Sequence, residues 1–139
     1  MNIDSIENGY VIDHIKPGKS FEIYNYLDLG KLDVSVAIIK NARSSKTGKK
    51  DIIKINEKLD INLDILGYLD SNITINKIVN GKIVKKYHPE LPKKLVNIIK
   101  CKNPRCITSI EQELPQICEL TDKENKVYRC KYCEEKIDV

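Results

Sequence analysis

The sequence predicts an α+β protein, with a mixed domain over residues 1–90 followed by a small β-rich metal domain over residues 91–139. Three observations support this prediction. Strand-like and helical patterns alternate in the first part, Asn80-Gly81 marks a hairpin, and paired cysteines occupy the last third. A chain of 139 residues is long enough for one ordinary domain and a metal module.

The first elements are a strand and a helix. Tyr10–Ile15 is a short run rich in β-favouring residues that ends at Pro17-Gly18. Ser20 then has the residue type of a helix N-cap. Apolar side chains recur at helical spacing until Gly30, at Phe21, Ile23, Tyr24 and Leu27.

Two strands follow this helix. Val34–Ile39 is a nearly continuous apolar run of strand length, and Asp51–Ile55 alternates apolar and polar side chains. The polar stretch Asn41–Lys50 between them predicts a loop. Because Val34–Ile39 is apolar enough for pairing at a sheet edge, we also expect a homodimer.

A second helix and a hairpin complete the first domain. Asn62 can cap a helix that ends near Asp70 and carries Leu63, Leu66 and Leu69 on one face. Ile73–Val79 and Lys82–Tyr87 then flank Asn80-Gly81, a pair that favours the positive φ angles of a two-residue turn. The order β-α-β-β-α-β, with one extra strand, predicts a ferredoxin-like split βαβ domain.

The two prolines of His88–Pro92 predict a stiff connector to the second domain. We expect Leu95–Ile99 and Val127–Arg129 to form strands that enter and leave this domain. Cys101, Cys106, Cys130 and Cys133 have the spacing of a closed, tetrahedral zinc site. Such a site folds a short segment and leaves no open position for a catalytic water.

Basic side chains next to these cysteines offset the negative charge that four thiolates leave on one zinc ion. They are Lys100, Lys102, Arg105, Arg129 and Lys131. The alternatives are two disulfides, which need an oxidising compartment, and a redox C-x-x-C pair. Cys118 lies between Ile117 and Glu119, and we expect it to be a half-buried bystander.

The composition limits the partners and the location. The net charge is +4, and the lysines are spread over the whole chain, so a nucleic-acid groove is not indicated. No apolar run approaches the roughly 20 residues that cross a membrane. Because the chain begins Met-Asn-Ile-Asp-Ser, without a basic and apolar leader, we expect a cytoplasmic protein.

Over essentially its full length, the chain closely resembles the regulatory chains of aspartate carbamoyltransferase. The segments that carry the resemblance are Val11–Ile15, Gly48–Asn56, Thr74–Ile78, Pro89–Pro92 and the frame Cys101-x4-Cys106 with Cys130-Lys-Tyr-Cys133-Glu134. The resemblance implies a non-catalytic subunit of pyrimidine biosynthesis. It also implies that two such chains pair through their N-terminal domains and that the zinc domain docks on the catalytic chain. CTP or ATP would shift the enzyme between a low-affinity and a high-affinity state, and UTP would reinforce CTP.

The resemblance also implies a nucleotide site. Asp13 would address the ribose hydroxyls, while His14 and Lys86, with Asn76, would meet the phosphates. Lys54 would contact the base or ribose beside Lys50. Backbone groups of Ile6 and Gly81 would read the exocyclic group of the base, and Ile3 and Ile78 would line it.

Three residues depart from the family pattern. Gly81 stands where the family commonly has an aromatic residue. On the docking surface, Glu135 stands in place of a lysine and Arg105 in place of a polar amide.

Two other classes of function have less support. The first is a zinc ribbon that binds nucleic acid, with an affinity that falls as the salt concentration rises. The second is an enzyme, but the sequence shows neither a carboxylate pair nor a nucleophile with an activating base.

Overall fold

A computed structural model describes residues 5–45, 48–58, 63 and 65–137. The chain forms two compact units, Met1–Glu90 and Leu91–Val139. Each unit contains one antiparallel sheet with short helices, so the α+β class is confirmed. The elements of the first unit are β1 (Gly9–Ile15), α1 (Ser20–Tyr26), a 3-10 turn (Leu29–Lys31), β2 (Val36–Ser44), β3 (Gly48–Ile55), α2 (Ile65–Leu69), β4 (Thr74–Val79) and β5 (Lys82–Tyr87).

The first sheet has the strand order β2-β3-β1-β4-β5, with β1 at its centre. On one face, Ile12 of β1 lies opposite Ile53 of β3 and Ile75 of β4, and all three are fully buried. Ile23 of α1 and Leu66 of α2 are buried as well, and α1 contacts both β3 and α2. This face therefore forms the apolar core, while the opposite face carries polar side chains.

Two β-bulges lie on either side of Asp51, a buried residue of β3. One is in β1 at His14, where φ is +58°, and the other is in β2 at Asn41, where φ is +57°. The Asp51 carboxylate accepts hydrogen bonds from the backbone N–H of Gly18 (3.1 Å) and of Asn41 (3.0 Å). One buried carboxylate thus binds the backbone at the β2 bulge and in the turn that follows the β1 bulge.

The hairpin prediction is confirmed, because Asn80 and Gly81 join β4 to β5 with φ angles of +52° and +76°. The N-cap prediction is wrong. The cap of α1 is Lys19, whose backbone is helical and whose side chain makes no capping bond. Ser20 lies inside the first turn and is buried, where a side chain cannot cap its own helix.

The predicted apolar face of α1 is only partly correct, since Ile23 and Leu27 are buried whereas Phe21 is 54% exposed. The loop prediction for Asn41–Lys50 is wrong at both ends. β2 continues to Ser44 and β3 begins at Gly48, because the ladder is formed by backbone groups and is not interrupted by exposed polar side chains. Ile3 and Asn62 lie outside the described residues.

The second unit consists of β6 (Lys94–Val96), α3 (Ile107–Ile110), β7 (Ile117–Asp122), β8 (Val127–Cys130) and β9 (Lys136–Ile137). Its strands pair in the order β6-β7-β8-β9. Tyr128 is fully buried, and its hydroxyl donates a 2.7 Å hydrogen bond to the Pro92 carbonyl. The strand predicted over Leu95–Ile99 ends at Val96, because Asn97 takes a φ of +57°. In the described part of the chain, no helix has the length and apolar character that crossing a membrane requires.

Candidate metal centre and ligand face

The four paired cysteines meet at one point of the second unit. Their Sγ atoms all lie within 4.8 Å of one another, and the members of the cluster are Cys101, Cys106, Cys130 and Cys133. The loop before α3 supplies two of them, and the end of β8 with the turn that follows supplies the others. The structure therefore brings together all the residues that the sequence predicts as metal ligands.

The distances between these sulfurs fit a metal shell. The Sγ atoms of Cys101 and Cys133 are 3.6 Å apart, and those of Cys106 and Cys130 are 3.7 Å apart. Ligands at the usual zinc–sulfur distance of about 2.3 Å in a tetrahedron lie about 3.8 Å from each other. A disulfide would require about 2.05 Å, and the cysteines are free thiols.

Burial opposes the ionisation of two of the four thiols, those of Cys101 and Cys130. Burial raises the pKa of Cys101 to about 12 and also raises the pKa of Cys130. For Cys106, burial acts in the same direction, but hydrogen bonds from the Thr108 hydroxyl and backbone N–H lower its pKa to about 7. A bound divalent cation would favour the thiolate form of all four ligands.

Backbone groups next to the ligands point at the sulfurs. The Asn103 N–H donates to Cys101, and the N–H groups of Tyr132 and Cys133 donate to Cys130. The Thr108 hydroxyl lies 3.0 Å from the Cys106 sulfur. These donors suit sulfurs that carry negative charge, as thiolates on a metal do.

Cys118 is fully enclosed rather than half-buried, since only 1% of it is exposed. It lies on β7 directly opposite Cys130 of β8, yet it is not a member of the sulfur cluster. Burial and the charges of Cys130 and Cys133 raise its pKa. Among the described residues it therefore behaves as a packed neighbour of the site, not as a ligand.

The other candidate site lies on the face of the first sheet that is opposite the apolar core. Lys54, Val11, Asn76 and Lys86 are cross-strand partners in one row over β3, β1, β4 and β5. Directly opposed residues of antiparallel strands share a face. Residues predicted from three separate sequence segments thus lie side by side.

A second group lies next to this row, at the bulge in β1. The Asp13 carboxylate pairs with the Lys50 ammonium at 3.0 Å, and both side chains are about four-fifths buried. The His14 ring Nδ1 lies 3.1 Å from the Thr74 hydroxyl. Because Lys50 and Lys54 are four residues apart in β3, they project from the same face, as the sequence predicts.

Asn76 contributes a buried polar atom to this face. Its Nδ2 donates a 3.3 Å hydrogen bond to the Val11 carbonyl, which fixes the orientation of the amide. Its Oδ1 is buried and has no hydrogen-bond partner in the described structure. The side chain thus has a free acceptor, which a hydroxyl or amino group could satisfy.

The remaining predicted residues lie toward the β4–β5 turn. Ile78 and Ile6 are each 8% exposed, and Ile78 is paired with Gly9 across the strands. The Gly81 N–H donates to the Glu7 carbonyl at 2.8 Å, which brings the segment after Ile6 to the turn.

Sequence reasoning missed Asp51, Thr74, Thr108 and Gln116, because their roles depend on tertiary hydrogen bonds that have no periodic pattern.

Comparison with known proteins covers both units. Residues 1–90 match the family model described as aspartate carbamoyltransferase regulatory chain, allosteric domain. Residues 93–139 match the metal binding domain of the same chain. The regulatory chain of Clostridium tetani is 54% identical over 136 residues, which cover 97% of this chain and 94% of that one.

More distant regulatory chains match over similar lengths. That of Clostridium acetobutylicum is 50% identical over 135 residues, which cover 97% of this chain and 92% of the relative. That of Bifidobacterium longum is 42% identical over 135 residues, which cover 97% of each chain. The similarity is therefore not confined to the cysteine segment.

Proposed function

The chain belongs to the family of aspartate carbamoyltransferase regulatory chains, and from this we propose that it senses nucleoside triphosphates and controls a catalytic subunit through a zinc domain. Members of this family are non-catalytic subunits, and a regulatory chain implies a catalytic partner. In our proposal CTP, ATP and UTP bind to residues 1–90, while residues 91–139 hold zinc and dock on the catalytic chain.

One observation carries the nucleotide proposal. The face of the first sheet gathers three lysines and a histidine around a single carboxylate, with a free amide acceptor beside them. The basic members are His14, Lys50, Lys54 and Lys86. A triphosphate carries several negative charges and needs donors of this kind. Asp13 can accept from the ribose hydroxyls, and the Asn76 oxygen can accept from a hydroxyl or an amino group.

The fold supports the same assignment. We infer a ferredoxin-like split βαβ arrangement with a fifth strand, because β1 pairs antiparallel with both β3 and β4 and each helix connects two strands of one sheet. In this arrangement the helices cover one face and leave the other for a ligand. The ligand residues named above belong to that other face.

The four-cysteine site supports the second part of the proposal. Four sulfurs within 4.8 Å of one another would complete a tetrahedral shell around an ion, so the metal would stabilise the fold rather than catalyse a reaction. Zinc is the ion that such a donor set favours. We also expect the protein in the cytoplasm, where thiols remain reduced.

Calorimetric titration with CTP, ATP and UTP tests the nucleotide site. We expect Lys86→Ala to weaken triphosphate binding by about tenfold to a hundredfold, because it removes a charge-assisted contact. Lys85→Ala is the matched control, since Lys85 is the next residue of β5 and lies opposite Lys77, outside the row of Lys86. Wild-type protein that binds none of the three nucleotides would refute the proposal.

Reconstitution tests the regulatory role. We expect the chain, mixed with its catalytic partner, to form a larger assembly whose response to aspartate changes with CTP or ATP. The coupling free energy in such systems is typically about 1–3 kcal/mol. An assembly whose aspartate response ignores saturating nucleotide would contradict the proposal.

We propose that two copies of the chain pair through the open edge of β2 to form a homodimer. The Ser35 carbonyl accepts from the Asn56 N–H at 2.9 Å, so the alternating ladder leaves the N–H of Ile38 at the open edge. We expect Ile38→Pro to shift the chain from dimer to monomer in analytical ultracentrifugation while leaving the β2–β3 ladder intact. A variant that remains dimeric would exclude this edge.

A further inference from the structure

Gln116 is anchored at the end of the second sheet, directly before β7. Its backbone N–H donates to the Asn97 side-chain Oδ1 at 2.9 Å, and its carbonyl accepts from the Asn97 N–H at 2.7 Å. This pair of bonds extends the pairing of Val96 with Ile117 by one step. The position of the Gln116 backbone is therefore fixed by the sheet and not by the cysteine loop.

The side chain of Gln116 reaches both ends of the first cysteine loop. Its Oε1 accepts a hydrogen bond from the Cys101 N–H at 2.9 Å, and its Nε2 donates to the Thr108 carbonyl at 3.4 Å. Thr108 in turn places its hydroxyl 3.0 Å from the Cys106 sulfur. One amide thus connects the backbone of one ligand to the residue that contacts another.

The chemistry of this contact requires an amide. The N–H of Cys101 needs an acceptor and the carbonyl of Thr108 needs a donor, and a primary amide offers both from one carbon. A carboxylate would accept from Cys101 but would repel the Thr108 carbonyl. An apolar side chain of equal length would make neither bond.

We propose that Gln116 is a positioning residue that holds Cys101 and Cys106 at metal-binding separation before the ion arrives. The inference rests on the metal-binding role proposed above, and it assigns the preorganisation of the site to a residue outside the cysteine motif. Residues that orient metal ligands typically contribute about tenfold to a hundredfold in metal affinity.

The test uses the full chain with Co²⁺ and Zn²⁺ as probes. Gln116→Met removes both hydrogen bonds at constant length, and Gln116→Glu removes the donor and adds a charge. Gln112→Glu is the matched control, because Gln112 lines the same cavity wall and is exposed. Metal affinity is measured by Co²⁺ titration, and Zn²⁺ release is timed with a chromogenic chelator.

We expect both Gln116 variants to bind metal about tenfold to a hundredfold more weakly and to release Zn²⁺ faster. Gln116→Glu should have the larger effect, because it also adds negative charge near four thiolates. The metal affinity of Gln112→Glu should remain within about threefold of the wild-type value, because solvent screens a charge at this exposed position. The Co²⁺ absorption bands should change in Gln116→Met, since the geometry of the ligands changes.

Gln116→Met with the Co²⁺ affinity and Zn²⁺ release rate of the wild type would overturn the proposal. A wild-type chain that binds neither ion would instead refute the metal-binding role itself. If Gln116→Met shows no Co²⁺ bands at saturation, the Asn97→Gly variant provides the test. Glycine keeps the positive φ and removes only the side chain that accepts from the Gln116 N–H. We expect it to weaken binding severalfold, and unchanged binding would reject the inference.

Discussion

The two units of the chain bury different kinds of side chain. In the first unit, a layer of branched aliphatic side chains is essentially inaccessible to water, including Ile12, Ile15, Ile23, Ile53, Ile55, Leu66, Ile73 and Ile75. In the second unit, the buried apolar residues besides cysteine are Leu95, Tyr128 and Ile137 in the described structure. The second unit therefore has little apolar area with which to offset the entropy of folding.

The two units are therefore stabilised by different interactions. Burial of apolar surface contributes about 25 cal/mol per Å², which sustains a sheet covered by helices. Structural zinc contributes about 10–16 kcal/mol to the folding of small domains, so it can replace a missing core. We therefore expect the two units to respond separately to loss of metal and to loss of apolar packing.

The largest effect is expected from removing the metal. Excess chelator, or Cys130→Ser, should unfold residues 91–139 while the first sheet remains folded, because the first sheet contains its own core. Two-dimensional NMR of the full chain would show collapse of the C-terminal resonances alone. The same treatment should release the chain from its catalytic partner.

Cys118→Ala is the control for this experiment. Cys118 is buried beside the site but is not part of the sulfur cluster, so the variant should retain one metal ion and a folded second unit. A chelated chain that kept its C-terminal resonances dispersed, or that still docked, would show that the metal does not maintain this unit.

Ile53→Ala should have the converse effect. Ile53 is fully buried at the centre of the first core, and truncation at such positions costs about 2–5 kcal/mol. Chemical denaturation should show a less stable first unit with unchanged metal content. Ile83→Ala, at a residue that is 61% exposed, should change stability by less than about 0.5 kcal/mol. Loss of metal in Ile53→Ala would contradict the independence of the units.

The same contrast explains what the sequence could reveal. In the first unit, alternation and helical spacing indicated the strands and helices, and Asn80-Gly81 indicated the hairpin, because each signal depends on neighbours in the chain. In the second unit, sulfur spacing indicated the ligands. β7 and β9 were not predicted, since short strands beside a metal need little apolar periodicity.

The residues that shape the sites were harder to predict. The bulge at His14, the carboxylate of Asp51 and the amide of Gln116 all act through hydrogen bonds to residues distant in sequence. The polarity of Asn41–Lys50 predicted a loop, whereas polar side chains of this stretch lie on the ends of β2 and β3. Such features become visible only when tertiary neighbours are known.

Asp51→Asn tests whether one buried carboxylate organises the first unit. The variant loses a charged acceptor for the N–H groups of Gly18 and Asn41. We expect a loss of about 1.5–3 kcal/mol in the free energy of unfolding. The nucleotide binding that we propose should weaken too, because Asp51 pairs with Ile15, the residue after the bulge at His14.

The lowered pKa of Asp51 determines how its contribution to folding stability changes with pH. Burial raises the pKa of Asp51, but hydrogen bonds from Asn41, Ser20 and Gly18 outweigh it and hold the pKa below its ordinary value of 3.8. A lowered pKa stabilises the folded state above 3.8, and this contribution is lost as the pH falls through the folded pKa. The stability difference between wild type and Asp51→Asn should therefore shrink in acid. A difference that stayed constant would exclude this mechanism.

Glu135→Lys should give the smallest effect on folding and would separate the two roles that we assign to the second unit. The side chain of Glu135 is exposed, whereas its backbone carbonyl accepts the Cys130 N–H at 2.9 Å and is unaffected by the substitution. Metal content should be unchanged, and stability should shift by less than about 0.5 kcal/mol. Association with the catalytic partner should become slower, most strongly at low salt, because charges at an interface rim act mainly on the association rate. Stopped-flow association at several salt concentrations measures this effect, and equal rates at every concentration would place Glu135 outside the docking surface.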